Sequence, residues 1–131
     1  MTDLSVENLT LRAGDTTLVD DASFKLAQGE FVALLGPNGA GKTSLIRAGI
    51  GLQSADEGRS LLDGTPVHGL SPAQRARQIA YLPQIRPLAW PNAVRDVVSL
   101  GRFSHGAPLG RLKGLDAEAV DRALEACGLT D

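Results

Sequence analysis

Residues 36–43 read Gly-Pro-Asn-Gly-Ala-Gly-Lys-Thr, which satisfies Gly-x-x-x-x-Gly-Lys-(Ser/Thr) at every fixed position. Residue types at this spacing suit one chemistry, the holding of a polyphosphate together with a divalent cation. Phosphate oxygens need backbone N–H donors at close range. A side chain at Gly36, Gly39 or Gly41 would obstruct that approach or the backbone conformations it requires. Lys42 supplies a compact positive charge for the β- and γ-phosphates, and Thr43 a hydroxyl for Mg²⁺. Ser44 can donate to the α-phosphate region, and Pro37, Asn38 and Ala40 fill the loop between the fixed positions. The expected ligand is a nucleoside triphosphate with Mg²⁺, held from Gly36 to Ser44.

The match gains weight from its context, an expected strand before the loop and a helix after it. Residues 31–35 are apolar at every position, the pattern of a strand covered on both faces in a parallel sheet. A helix opening at Lys42 would direct its positive end at the phosphates, and Gly51 is its expected terminator. Ahead of this unit, Leu4, Val6, Leu9 and Leu11 alternate imperfectly as a first strand. Gly14-Asp15 reads as a turn, Leu18 and Val19 lead a second strand into residues 22–26, and residues 27–30 form a polar turn.

Downstream, residues 54–59 read as a polar loop, and residues 61–67 as a short strand, an Asp63-Gly64 turn and an edge strand. Ser71-Pro72 begins a helix that should end near Arg77 or Gln78. Residues 79–82 form another strand candidate, stopped by Pro83, and prolines 83, 87 and 91 shape the loop beyond it. Asn92 is placed to cap a helix that ends at Gly101, and residues 102–114 read as loop. Asp116 is placed to cap a last helix with Ala117, Val120, Leu124 and Cys127 on one face and Gly128 as its stop.

The 131 residues suffice for one domain with one core, and 43% apolar with 21% charged residues is an ordinary globular balance. A net charge of −2 gives no basis for gripping a nucleic-acid backbone, so no nucleic-acid partner is expected. The single cysteine excludes an internal disulfide and a zinc site; Cys127 reads as core packing in a reducing, cytosolic setting. The N-terminal residues lack the basic start and apolar core of a signal peptide. The longest uncharged apolar run, residues 31–35, is far short of the ~20 residues that cross a bilayer. Work at a membrane would therefore go through a partner.

Phe-Val-Ala-Leu-Leu-Gly-Pro-Asn-Gly-Ala-Gly-Lys-Thr at 31–43 resembles the Walker A segment of the ATP-binding cassette (ABC) ATPases. Residues 18–24 followed by Gly29-Glu30 resemble that family's lead-in, and residues 79–84, Ile-Ala-Tyr-Leu-Pro-Gln, resemble the strand that delivers its Q-loop glutamine. The resemblance covers essentially the whole chain. It implies an α/β fold: a P-loop NTPase core with an N-terminal antiparallel β-subdomain. It implies ATP and Mg²⁺ as ligands, with Gln84 touching the metal and the attacking water. Leu70-Ser71-Pro72 together with Val-Arg-Asp-Val-Val-Ser-Leu-Gly-Arg at 94–102 is similar to importers of iron–siderophore, haem or cobalamin complexes.

The same resemblance implies transmembrane permease subunits docked on residues 83–101, a second copy forming an ATP-sandwich dimer, and a peripheral place on the cytoplasmic face of the cell membrane. Implied parts are a β-subdomain lead-in at 1–30, the P-loop strand and helix at 31–52, a stretch to the Q-loop at 53–84 and the start of a helical subdomain at 85–131. Two departures stand out. The position near Ala13, where the family usually stacks adenine on an aromatic ring, has no aromatic from Leu9 to Val19. The family's signature motif, Walker B aspartate, catalytic glutamate and switch histidine are not found in residues 85–131. The sequence therefore reads as truncated before the Walker B strand, with no catalytic residue of its own, and as incompetent for hydrolysis. Other readings are a non-transport ABC ATPase, a small P-loop kinase lacking a clear Arg-rich lid, and an inactive nucleotide-binding fragment. His105 reads as a loop residue.

Overall fold

The computed structural model of the protein describes residues 3–85, 93–108 and 110–129. The chain divides into two units, Met1–Ser71 and Pro72–Asp131.

In the first unit, β1 (Leu4–Ala13) and β2 (Thr16–Leu26) form a hairpin through the expected Gly14-Asp15 turn, and β3 (Glu57–Leu62) and β4 (Thr65–Pro66) form a second. They make one antiparallel sheet in the order β2-β1-β3-β4. The Asp63-Gly64 turn has φ of 49° and 77°, the two left-handed residues of a tight hairpin turn. β3 starts at Glu57, inside the segment expected to be loop. Polar residues take strand form there because each has a charged partner across the ladder. Arg59 lies opposite Glu7 and binds it at 2.7 Å, and Arg12 binds Glu57 at 2.8 Å.

The imperfect alternation in β1 has a structural cause. Val6, Leu9 and Leu11 are all buried against α1 (Lys42–Gly49), joined by Ala48 and flanked by Leu18, Val19, Leu45 and Ala55. Leu9 follows Val6 by three positions rather than two, and a β-bulge at Asn8 absorbs the extra residue. Asn8 has φ 49°, its amide donates to Asp21 Oδ1 at 2.7 Å, and its N–H donates to Ser23 Oγ at 2.8 Å. On the other side Gly58 lies so near that a Cβ there would stand 2.3 Å from the Asn8 carbonyl oxygen. Helix α1 ends as expected at Gly51, whose N–H donates to Ala48 while Leu52 N–H donates to Arg47 at 2.7 Å.

Ser60 is buried on β3, and its hydroxyl has no hydrogen-bond partner among the described residues. An unpaired buried hydroxyl carries its desolvation cost uncompensated, so Ser60→Ala should raise stability by about 1 kcal/mol. Urea unfolding of the full-length polypeptide checks this; an equal loss would show that the hydroxyl is paired.

Residues 31–35, expected as a strand of a parallel sheet, and residues 79–82, another strand candidate, are not strands here. A central strand needs a ladder partner for its N–H and C=O groups. Every described strand is already part of the antiparallel sheet, so neither segment has one. Phe31 is accordingly 92% exposed and Leu35 85%.

The second unit is helical: α2 (Pro72–Gln78), α3 (Val94–Ser99) continuing as a 3₁₀ turn over Leu100–His105, and α4 (Leu115–Ala126). α2 begins at Pro72 and ends at Gln78, as expected. Ala93 occupies the N-cap position of α3; the expected cap, Asn92, lies outside the described residues. The helix does not stop at Gly101, because the 3₁₀ turn carries the chain on to Gly106, which has φ 84°. Asp116 is not a cap either. It lies in the first turn of α4, after Gly114, and accepts from Arg102 Nε at 2.7 Å. Val120 and Leu124 are buried as expected, whereas Cys127 is exposed, because α4 has ended at Ala126 and Gly128 turns the chain.

Candidate functional site

The Gly36–Ser44 segment is fully described and forms one loop running into α1. Gly41 is the residue before the helix, with φ 75° and ψ 4°. The first N–H to bond back along the helix belongs to Leu45, which donates to the Gly41 carbonyl at 2.8 Å. The N–H groups of Lys42, Thr43 and Ser44 precede it and have no intrahelical acceptor, the arrangement that suits an anion. Ahead of them, Ala40 N–H donates to the Pro37 carbonyl at 3.3 Å, closing a turn around Asn38 and Gly39.

Lys42 spans this turn. Its ammonium donates to the carbonyls of Gly36 at 2.7 Å and Pro37 at 2.6 Å. An ammonium has three donors, so one remains for an anion beside the loop. Thr43 is exposed and Ser44 half-buried, both in the first turn of α1, which carries no acidic residue. The donor set is therefore backbone N–H, hydroxyl and ammonium, with no carboxylate or imidazole in residues 31–53. It can bind and orient a polyphosphate. It holds no group that could take a proton from water.

Sequence reasoning missed what fixes the loop from behind. A Cβ at Gly41 would lie 2.2 Å from the Leu18 carbonyl oxygen and 3.0 Å from Val19 Cγ2. Glycine at 41 therefore serves packing against β2 as well as backbone conformation. Leu18 and Val19 read in the sequence only as strand residues, and nothing in their types signals the contact.

A divalent cation fits this set through the Thr43 hydroxyl and phosphate oxygens. Among the described residues no three His, Cys, Asp or Glu side chains gather into a protein cage for a metal. Gln84 belongs to the second unit, where it is exposed in a bend after Pro83. The loop and α1 thus bring Gly36, Pro37, Asn38, Gly39, Ala40, Gly41, Lys42, Thr43 and Ser44 together, and Gln84 stands in the other unit. Residues 86–92 of the expected docking loop at 83–101 lie outside the described residues. No helix among the described residues is long and apolar enough to cross a membrane.

The apolar run at 31–35, the glycine loop and a helix whose first residue, Lys42, reaches back to the Gly36 and Pro37 carbonyls make up this part of the chain, and comparison with known proteins gives its family. The family model described as ABC transporter matches residues 19–131, and the chain belongs to that family. It is 41% identical over 123 residues to a hemin import ATP-binding protein of Pseudomonas putida, covering 94% of this chain and 47% of that protein. It is 32% identical over 131 residues to an iron(3+)-hydroxamate import ATP-binding protein of Bacillus subtilis, covering 100% of this chain and 49% of that one. A solved structure of the ATP binding subunit of an ABC transporter superposes with a TM-score of 0.66 at 29% identity, over 80% of this chain and 43% of that chain. The chain spans about half the length of the curated relatives it matches.

Proposed function

We propose that these residues are the nucleotide-gripping part of an ABC importer's ATP-binding subunit, which couples ATP binding and hydrolysis to uptake of an iron-chelate, haem or cobalamin type substrate. The observation that carries this is the loop itself: Lys42 clamped over Gly36 and Pro37, ahead of three N–H groups without helical acceptors. The hemin and iron-hydroxamate import proteins similar to it supply the substrate class.

When bound, Mg²⁺ supplies charge neutralisation at the β- and γ-phosphates. Lys42 holds those phosphates by charge, Gly36–Gly41 cradle them with backbone, Thr43 is the metal ligand and Ser44 donates toward the α-phosphate. Gln84 would touch the metal and the attacking water and relay nucleotide state to the membrane subunit. Residues 83–101 form the docking surface for transmembrane permease subunits, and a second copy closes the nucleotide sandwich. Catalytic groups for water activation would come from parts of the protein outside these 131 residues. The subunit works as a peripheral protein on the cytoplasmic face of the cell membrane.

One reconstitution of the full-length protein with its permease in liposomes tests the reading. A charge-assisted hydrogen bond contributes about 1.5–3 kcal/mol, so Lys42→Ala should weaken Mg·ATP binding roughly ten- to a hundredfold and stop substrate uptake. Unchanged binding would refute the phosphate-loop assignment. In the same system, replacing residues 85–95 should release the permease in a pull-down with ATP binding intact, and a retained complex would refute the docking surface.

A further inference from the structure

A backbone nitrogen can attack the side-chain amide of the asparagine before it, and glycine leaves that nitrogen least screened and most free to turn. The chain has three asparagines, and only Asn38 precedes a glycine. Asn38 and Gly39 stand at the tip of the turn closed by Ala40 N–H and the Pro37 carbonyl, and both are exposed. Gly39 has φ 82° and nothing within 4 Å of the position a Cβ would take. Among the described residues, no hydrogen bond holds the Asn38 amide or the Gly39 N–H.

Other sites in the chain lack this freedom. The Asn8 amide is tied to Asp21 Oδ1 at 2.7 Å, and its successor, Leu9, is buried. Asp63 also precedes a glycine, but its carboxylate accepts from Asp3 N–H at 2.7 Å and is a poorer electrophile than an amide. Asn92 lies outside the described residues.

We propose that Asn38 is a self-modification site, converting to aspartate and isoaspartate and thereby weakening the phosphate loop. The Gly39 nitrogen gives its proton to water, attacks the Asn38 Cγ and forms a C–N bond. The Cγ–Nδ2 bond breaks and ammonia leaves, which closes a five-membered succinimide. Water then opens the ring at either carbonyl. Attack at Cγ leaves aspartate; attack at the main-chain carbon leaves isoaspartate, with one more carbon in the main chain. Either product places a carboxylate one residue from Pro37, whose carbonyl accepts from Lys42 Nζ at 2.6 Å. The new charge competes with phosphate for that ammonium and repels the phosphate itself. A bound polyphosphate engages the loop backbone and slows ring closure, a protection that rests on the reading of Gly36–Ser44 as a phosphate loop.

The test incubates the full-length protein at mildly alkaline pH, with and without Mg·ATP. Mass spectrometry of the tryptic peptide 26–42 follows the exchange of –NH₂ for –OH. Asn8 must first break a hydrogen bond to a charged group, so Asn38 should convert at least about tenfold faster. Gly39→Ala should slow conversion, and Mg·ATP should slow it in wild type but not in Lys42→Ala. Asn38→Asp, made directly, should bind Mg·ATP about tenfold more weakly than wild type. The proposal is overturned if Asn38 converts no faster than Asn8, or if Asn38→Asp binds Mg·ATP as tightly as wild type. If Asn38 converts but Mg·ATP leaves its rate unchanged, the phosphate-loop reading fails and the chemistry at Asn38 stands.

Discussion

Gly41→Ala is expected to cost far more than Gly39→Ala, although both glycines lie in the phosphate loop with similar backbone angles, φ 75° and 82°. A left-handed conformation alone costs a non-glycine residue about 1–2 kcal/mol, and both variants incur it. Only at 41 is there a second cost. The added Cβ would stand 2.2 Å from the Leu18 carbonyl oxygen, whereas at Gly39 nothing lies within 4 Å. The obstacle is backbone in a paired strand, so it cannot rotate aside as a side chain would. Either β2 shifts from β1, or α1 withdraws and takes Lys42, Thr43 and Ser44 with it. We expect a loss of about 3 kcal/mol or more for Gly41→Ala, with nucleotide binding lost beyond the effect on stability. Gly39→Ala should stay near the conformational cost. Urea unfolding and Mg·ATP titration of the two variants in the full-length polypeptide decide it, and equal losses would remove the role given to the Leu18 contact.

The second large effect concerns the 131-residue chain when expressed by itself. Phe31, Val32, Leu34 and Leu35 are 92%, 54%, 43% and 85% exposed in one continuous segment that has no ladder partner. An apolar run with free N–H and C=O groups is a template for pairing with other chains. Expected results are strong binding of a hydrophobic dye, oligomers on gel filtration and no cooperative melt. Phe31→Lys with Leu35→Glu should shift the distribution toward monomer. A monodisperse parent chain with a cooperative melt and steady ATP turnover would overturn the expectation.

Much of this was legible from residues alone, and the pattern of success has a physical logic. The Gly36–Thr43 loop, the Gly51 and Gly128 stops and the Asp63-Gly64 turn were readable because local backbone chemistry dictates them. The start of α2 at Pro72 belongs with them. Residues 31–35 were readable as a buried-type strand by composition, yet strand form depends on a lateral partner that no local pattern encodes. Polar Glu57-Gly58-Arg59 looked like loop because its strand partners, Glu7 and Arg12, lie some 50 residues away. Asp116 looked like a cap because aspartate commonly is one. Its carboxylate is instead engaged by Arg102, a pairing across 14 residues that periodicity cannot reveal. In the site, each donor could be named from the sequence, and the surface against which Gly41 is pressed could not.

The extra residue at Asn8 bears on how this sheet tolerates changes in length. Deleting Asn8 would restore plain alternation through Leu4, Val6, Leu9 and Leu11, so the inward-facing set would stay inward. Burial therefore does not demand that residue. What would vanish is the bend, shared by three strands through left-handed Asn8, left-handed Asp21 and the close approach of Gly58. Homologous chains that differ by one residue at this point should keep the same core and differ in the curvature of the sheet where it wraps α1.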